Sequence, residues 1–277
     1  MSALQGFVPA LPTAPLRHSA CSRRATVTTH ITHAVRQYKR VKYSGLQQGR
    51  KEEPEVISCE PDGSDAWRVS RACEIIKEGG VGIIPTDTFP ALVVDLQNRD
   101  AVLKLYNARE LDANRPLSIL CKNFHEVSTY TTGFPESTIP GQPDWFGVMR
   151  KILPGPYTII LPASKLLPRQ CVDFLKARTK IRKSVGVRIP DDKVCQAVLE
   201  GLDHPLLCTS AHVPDQLAPD TETPDLGSML TAYAGKGVDF IVDVGPRVAT
   251  QSTIVDMTGD IPQVVREGKG DPSYFQQ

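Results

Sequence analysis

The 277-residue chain predicts an α/β or α+β domain with a largely buried, twisted and mixed sheet. Three observations predict it. From Asp65 onward, short apolar runs alternate with patterns of helical period. Several of those runs end in polar loops. The last three, Phe240 to Val244, Thr253 to Met257 and Gln263 to Arg266, follow one another with no helix between them, so some neighbours can pair antiparallel.

Taken in order, Arg50 to Gly63 is charged, contains proline and reads as a linker or an edge segment. Asp65 can cap a helix from Ala66 to Lys77, with Val69, Cys73 and Ile76 on one face. Gly79 and Gly80 can stop it. Val81 to Ile84 is a short apolar run, consistent with a strand buried on both faces. Pro85 ends regular pairing because it has no N–H. Thr86, Asp87 and Thr88 then bring two hydroxyls and a carboxylate to the strand's carboxyl end. That is where open α/β sheets bind ligands, although a capped turn would read the same way. Ala91 to Leu96 continues as a second strand. Asp100 can cap a helix with Ala101, Leu105 and Ala108 inward. Leu117 to Cys121 is a strand, and Thr129 to Asp144, rich in Thr, Pro and Gly, is a surface loop. Trp145 to Leu153 is a short helix ended by Pro154-Gly155, and Tyr157 to Leu161 a strand. Leu166 to Lys183 closes in a basic run, Lys176 to Lys183, which is either a solvated turn or a lid over an anionic ligand. Val185 to Ile189 is a strand ending in Arg188 and Pro190. Asp191 can cap a helix through Leu199. Pro205 to Cys208 is a strand leading into Thr209-Ser210-Ala211-His212. A Pro- and acid-rich loop then runs to Asp225, followed by a helix to Tyr233.

Charge is unevenly distributed. Nine Lys or Arg and no Asp or Glu lie between Met1 and Lys51, which leaves 23 of the 32 basic residues against all 31 acidic ones in the rest. An acidic body argues against broad electrostatic binding of nucleic acid, though not against one basic pocket. The N-terminal composition, rich in Arg, Ser and Thr, is that of an organelle transit peptide, with a disordered basic arm as the other reading. The plastid is the first expectation and the mitochondrion the second. The domain expectation is residues 1–49 as this arm, 50–64 as linker, 65–272 as one domain and 273–277 as tail. No apolar run approaches the ~18–20 residues that span a bilayer. The seven cysteines include no CxxC pair and read as small buried hydrophobes.

The chain has no GxxxxGK[ST] loop, no GxGxxG after a strand, no nucleophile elbow and no HExxH. Gly235-Lys236-Gly237 and Gly268-Lys269-Gly270 are too short to count. If phosphates are handled, side chains do most of the holding. Arg109, Arg115, Arg188 and Arg266 each adjoin a strand or helix end. The arginine fork matches carboxylate and phosphate, although singly each is better explained by a surface salt bridge. With hydroxyls at Thr86, Thr88, Thr158, Ser210, Ser252 and Thr253 they suggest a polar pocket for an anionic ligand. His212 can donate and titrate near neutral pH, or sit as a satisfied loop histidine.

On these residues the chain resembles the YrdC-like threonylcarbamoyl-adenylate synthase family, and within it the YciO-type branch. The blocks, in family order, are Pro85-Thr86-Asp87-Thr88, Arg115-Pro116-Leu117, Leu153 to Thr158, Val185 to Pro190, a partial match at Thr209-Ser210-Ala211, and Ser252 to Asp256 followed by Arg266-Glu267-Gly268. The likeness spans roughly Asp65 to Asp271. It implies an α/β fold around a deep, positively charged cavity. Members join ATP, L-threonine and bicarbonate into threonylcarbamoyl-adenylate and pyrophosphate, with Mg2+. A separate transferase then modifies position 37 of tRNAs. Carried over, the catalytic set is Arg109, Arg115, Ser210 and His212. Thr88, Arg188 and Thr209 meet the threonine, with Arg188 on its carboxylate. Thr158, Ser252 and Arg266 lie along the nucleotide. No metal ligand is carried over.

The chain departs from the family pattern at several points. Arg109, Leu111 and Arg115 stand where the family has lysine, arginine and lysine. His212, Pro214 and Asp215 fall in its Ser-x-Asn-x-Ser-Gly block, and Pro90 and Ala91 replace an aromatic residue and a glycine. Losing one desolvated charge contact costs about 2–5 kcal/mol. These departures support a second reading, a catalytically weak or inactive paralogue that binds nucleotide or structured RNA.

Overall fold

The computed structural model describes residues 53–111, 115–136, 143–168, 184–214, 224–247 and 250–276. Every described residue belongs to one unit of the chain. The expected N-terminal arm, Asp215 and the basic run from Lys176 to Lys183 lie outside the described residues.

Ten strands among the described residues form one mixed sheet. In chain order the elements are β1 (Glu55–Ser58), α1 (Ser70–Lys77), β2 (Gly82–Ile84), β3 (Ala91–Asp95), α2 (Arg99–Ala108), β4 (Ser118–Leu120), α3 (Phe124–Tyr130), α4 (Trp145–Ile152), β5 (Tyr157–Pro162), β6 (Ser184–Arg188), α5 (Lys193–Glu200), β7 (Leu206–Ser210), α6 (Leu226–Tyr233), β8 (Phe240–Asp243), β9 (Thr253–Asp256) and β10 (Gln263–Arg266). The spatial order is β1-β8-β2-β3-β7-β4-β6-β5-β9-β10. Parallel pairs (β1 with β8, β8 with β2, β4 with β6, β5 with β9) are interleaved with antiparallel ones.

Alternation along the strands builds a core on each face. Leu207, Ile119, Val187, Ile159 and Val255 join one core with α2, α4 and α6, while Leu206, Cys208, Leu120, Val93 and Phe240 join the other with α1 and α5. The second face changes character at β4. Ser118 stands opposite Gly186 in register. A Cβ at Gly186 would lie 2.6 Å from Ser118 Oγ and 3.2 Å from Thr158 Cγ2, so glycine lets two polar side chains from neighbouring strands close over it. Arg188 follows at the end of β6 and is buried.

Several local expectations are corrected. Glu55–Ser58, inside the expected linker, is an edge strand paired with β8. Asp65 does not cap α1. Its carboxylate accepts from the Glu60 N–H at 2.7 Å, and residues Ala66–Val69 form a 3-10 turn before the helix proper. Asn98 rather than Asp100 caps α2, and Asp192 rather than Asp191 caps α5. Part of the expected loop from Thr129 is the end of α3, which Asn123 caps. The five described cysteines are buried and unpaired, and burial pushes the Cys208 thiol up to about 11.

Candidate functional site

The expected site residues fall into three groups and one outlier. The first surrounds Arg188. Its Nη2 donates to Asp87 Oδ1 and to Thr88 Oγ1, both at 2.8 Å, reaching from the end of β6 to the loop after β2. That loop is itself fixed. Thr86 Oγ1 donates to the Phe89 carbonyl at 2.7 Å and accepts from the Thr88 N–H at 3.1 Å. The Asp87 carboxylate also takes the Asp191 N–H at 3.3 Å. Its side chain is 4% exposed and that of Arg188 9%. Burial pushes the Asp87 carboxyl above the ordinary carboxylate range, and the adjacent Arg188 charge only partly offsets this. Arg188 Nε is buried with no hydrogen-bond partner among the described residues. A buried orphan donor of this kind is costly, and a ligand acceptor would satisfy it.

The second group joins β5, the start of β9 and β10. Thr158 Oγ1 and Ser252 Oγ are 2.8 Å apart. Arg266 donates from Nε and Nη2 to the Ser252 carbonyl, at 3.2 and 2.8 Å, and from Nη2 to Ser252 Oγ at 3.3 Å. Burial, and then the Arg188 charge, lower the Arg266 pKa, so the two guanidinium groups share one electrostatic neighbourhood.

The third group is more open. Arg109, at the end of α2, donates from Nε to the Ser210 carbonyl at 3.1 Å. Ser210 is opposite Ala91 in the β3–β7 register, with Thr209 beside it opposite Leu92, which brings this group to the strand that follows the Thr86–Thr88 loop. His212 is exposed. Its carbonyl accepts from the Tyr233 hydroxyl at 3.1 Å and its ring centroid lies 6.5 Å from that of Phe89. Arg115 is the outlier. It is exposed, and its carbonyl accepts from the Tyr106 hydroxyl at 2.9 Å. Leu111 is partly buried against the first core.

A cavity of about 270 Å³ lies against Thr86 and Thr88, with Pro90, Met229, Val242 and Arg247 among its walls. Arg109, Arg188, Ser210 and Arg266 are not among its described lining residues. It therefore adjoins the Arg188 group through Thr88, and the arginine in its wall is Arg247 rather than Arg109, Arg188 or Arg266.

Two participants were not among the expected site residues. Asp87 lies inside the Pro85 to Thr88 block, but only the fold reveals its pairing with Arg188. Lys269, flanked by glycines that carry no motif, donates from Nζ to the Asp87 carbonyl at 2.6 Å.

A family model described as telomere recombination, of the Sua5/YciO/YrdC domain, matches residues 74–268. The chain is 31% identical over 215 residues to the uncharacterized protein YciO of Escherichia coli K12, which covers 78% of this chain and 96% of YciO. It is 25% identical over 205 residues to a threonylcarbamoyl-AMP synthase of Pyrococcus abyssi, covering 74% of this chain and 55% of that protein. The crystal structure of E. coli YciO superposes with a TM-score of 0.64 at 30% identity, over 80% of this chain and 99% of YciO. A shared sheet, an ordered set of motif blocks and these matches agree, and the chain belongs to the Sua5/YciO/YrdC family, in its YciO-type branch.

Proposed function

We propose that this protein makes L-threonylcarbamoyl-adenylate from ATP, L-threonine and bicarbonate, releasing pyrophosphate and water, for tRNA threonylcarbamoyladenosine modification by a separate transferase. The observation that carries the reading is Arg188. It is buried, its Nη2 is engaged by Asp87 and Thr88, and its Nε is left without an acceptor. A threonine carboxylate at Nε, beside the Thr88 hydroxyl, completes it. The name of the P. abyssi relative supports the same chemistry.

In this reading, bicarbonate takes up a proton and loses water to give CO2, the threonine amine adds to its carbon and releases a proton in turn, and a carbamate forms. One carbamate oxygen attacks the α-phosphorus of ATP, and the bond from that phosphorus to the bridging oxygen breaks as pyrophosphate leaves. No covalent bond to the protein is needed. The residues act by position and charge. Thr158, Ser252 and Arg266 hold the nucleotide, Thr88, Thr209 and Arg188 the threonine, and Arg109, Ser210 and His212 the reacting phosphates, while Arg115, exposed and apart from the three groups, has no part in this arrangement. Among the described residues no group of three or more His, Cys, Asp or Glu is placed to hold a metal ion. Mg2+ would enter with the triphosphate, whose oxygens and water would hold it, and would supply charge neutralisation on the phosphates.

The test is pyrophosphate release by the full chain with ATP, Mg2+, threonine and bicarbonate. Release that depends on threonine and exceeds that of Arg109→Ala and Ser210→Ala supports the reading, and no excess overturns it. Leu111 favours a second reading, in which the fold binds nucleotide or structured RNA without turnover, because it packs on the core where the family pattern carries a cation. Salt-steep RNA binding without ATP turnover would select it. Organelle import of the N-terminal segment is part of the same proposal. It is tested by following residues 1–49 fused to a fluorescent protein, and a fusion that stays outside both plastid and mitochondrion overturns it.

A further inference from the structure

Lys269 connects the Arg266 group to the Arg188 group. It stands three residues after Arg266, yet its Nζ lies 2.6 Å from the Asp87 carbonyl, and its charge acts on the Asp87 carboxylate. The backbone beneath it is fixed. The Gly268 N–H donates to Thr253 Oγ1 at 3.0 Å, Thr253 Oγ1 donates to the Gly270 carbonyl at 2.6 Å, and the Lys269 N–H donates to the Gln251 carbonyl at 2.8 Å. A Cβ at Gly268 would run into the Gln251 carbonyl and come within 2.6 Å of the Ser252 carbonyl carbon, so the loop lies this close only with glycine there.

The side chain contrasts with that base. Lys269 is exposed. An exposed ammonium gains little from one neutral carbonyl, and holding its long stem in place costs rotamer freedom. The ammonium has three N–H donors, and Asp87 takes one. An anion placed between the Arg266 and Arg188 groups would meet the others at charge-assisted strength.

We propose that Lys269 is a ligand-positioning residue at the junction of the two groups, donating to a phosphate oxygen of a nucleoside triphosphate while holding the Asp87–Thr88 loop beside it. The assignment rests on reading this site as one for a nucleotide and an amino acid.

The test compares the full chain with Lys269→Met and Lys269→Arg. ATP binding with Mg2+ alone is measured by calorimetry, and pyrophosphate release with threonine and bicarbonate by steady-state kinetics. Lys269→Met should weaken ATP binding and raise KM for ATP by about tenfold or more, with Lys269→Arg recovering most of the loss and ligand-free thermal midpoints unchanged. ATP binding by Lys269→Met within about twofold of the parent overturns the proposal, as does failure of the arginine to rescue or an equal loss of folding in both variants. The two readings separate. If the parent and Lys269→Arg bind ATP, Lys269→Met does not, and none releases pyrophosphate, the Lys269 assignment survives and the synthase reading falls. If Lys269→Met matches the parent in kcat and KM, the synthase reading survives and this one falls. No ATP binding by the parent overturns both.

Discussion

Arg188 and Arg109 are both arginines at the ends of elements, and they are held in opposite ways. Arg188 is buried, bonded to a buried carboxylate and a hydroxyl, and keeps one donor without a partner. Arg109 is partly exposed and bonds a backbone carbonyl. The first is built into the fold, so its removal tests stability and ligand binding together. The second can be removed with little cost to folding, so it reports on chemistry alone.

The largest effect should come from Arg188→Met. It leaves the Asp87 carboxylate buried without its cation, and unfolding free energy should fall by about 3–5 kcal/mol, read from urea midpoints. A loss below about 1 kcal/mol would show that the pair is not the anchor its burial indicates. Next is Ser252→Ala, which strips a partner from Thr158 Oγ1 and an acceptor from Arg266 and should cost about 1–3 kcal/mol. Adding Thr158→Val should cost less than the sum of the two singles, because the second change removes a hydroxyl already left unpaired. Strict additivity would mean that the hydroxyls do not act as a pair.

The two halves also differ in how the sequence announced them. Arg188 closes an apolar strand and is followed by Pro190, so its place at a strand end was legible. Its burial was not, because that requires Gly186 and the change of sheet face at β4. Asp87 could be seen at the loop, but not its partner 101 residues away. Lys269 had no local signal, since its contact lies across 182 residues. Among the elements, β1 escaped because only Ile57 of its four residues is buried, which leaves no alternation to read. The misplaced caps are near misses. Asn98 with Asp100, and Asp192 with Asp191, are nearby candidates that side-chain chemistry alone does not rank, and in each case the residue with extended backbone just before the helix makes the cap.

A smaller effect follows from the raised Asp87 pKa. A carboxyl raised in the folded state holds its proton there more tightly than in the unfolded chain. Its contribution to stability therefore declines as pH rises from about the ordinary 3.8 through the raised value, and is flat above it. The stability of the parent minus that of Asp87→Asn, taken from denaturant midpoints at several pH values, should fall over that window. A difference that grows with pH would show that Arg188 outweighs burial. The smallest stability effect belongs to Arg109→Ala, within about 0.5 kcal/mol of the parent, while its pyrophosphate release falls by about tenfold or more. Loss of folding in that variant would erase the contrast between the two arginines.

The synthase reading is tested most directly by the fate of bicarbonate carbon. The full chain is incubated with ATP, Mg2+, threonine and 13C-bicarbonate, and the products are followed by carbon NMR and mass spectrometry. A labelled carbamoyl carbon should appear on an adenylate that contains threonine, formed in step with pyrophosphate and absent when Arg188 is replaced. Pyrophosphate without labelled adenylate, or neither product from a folded protein that binds ATP, would contradict the synthase reading.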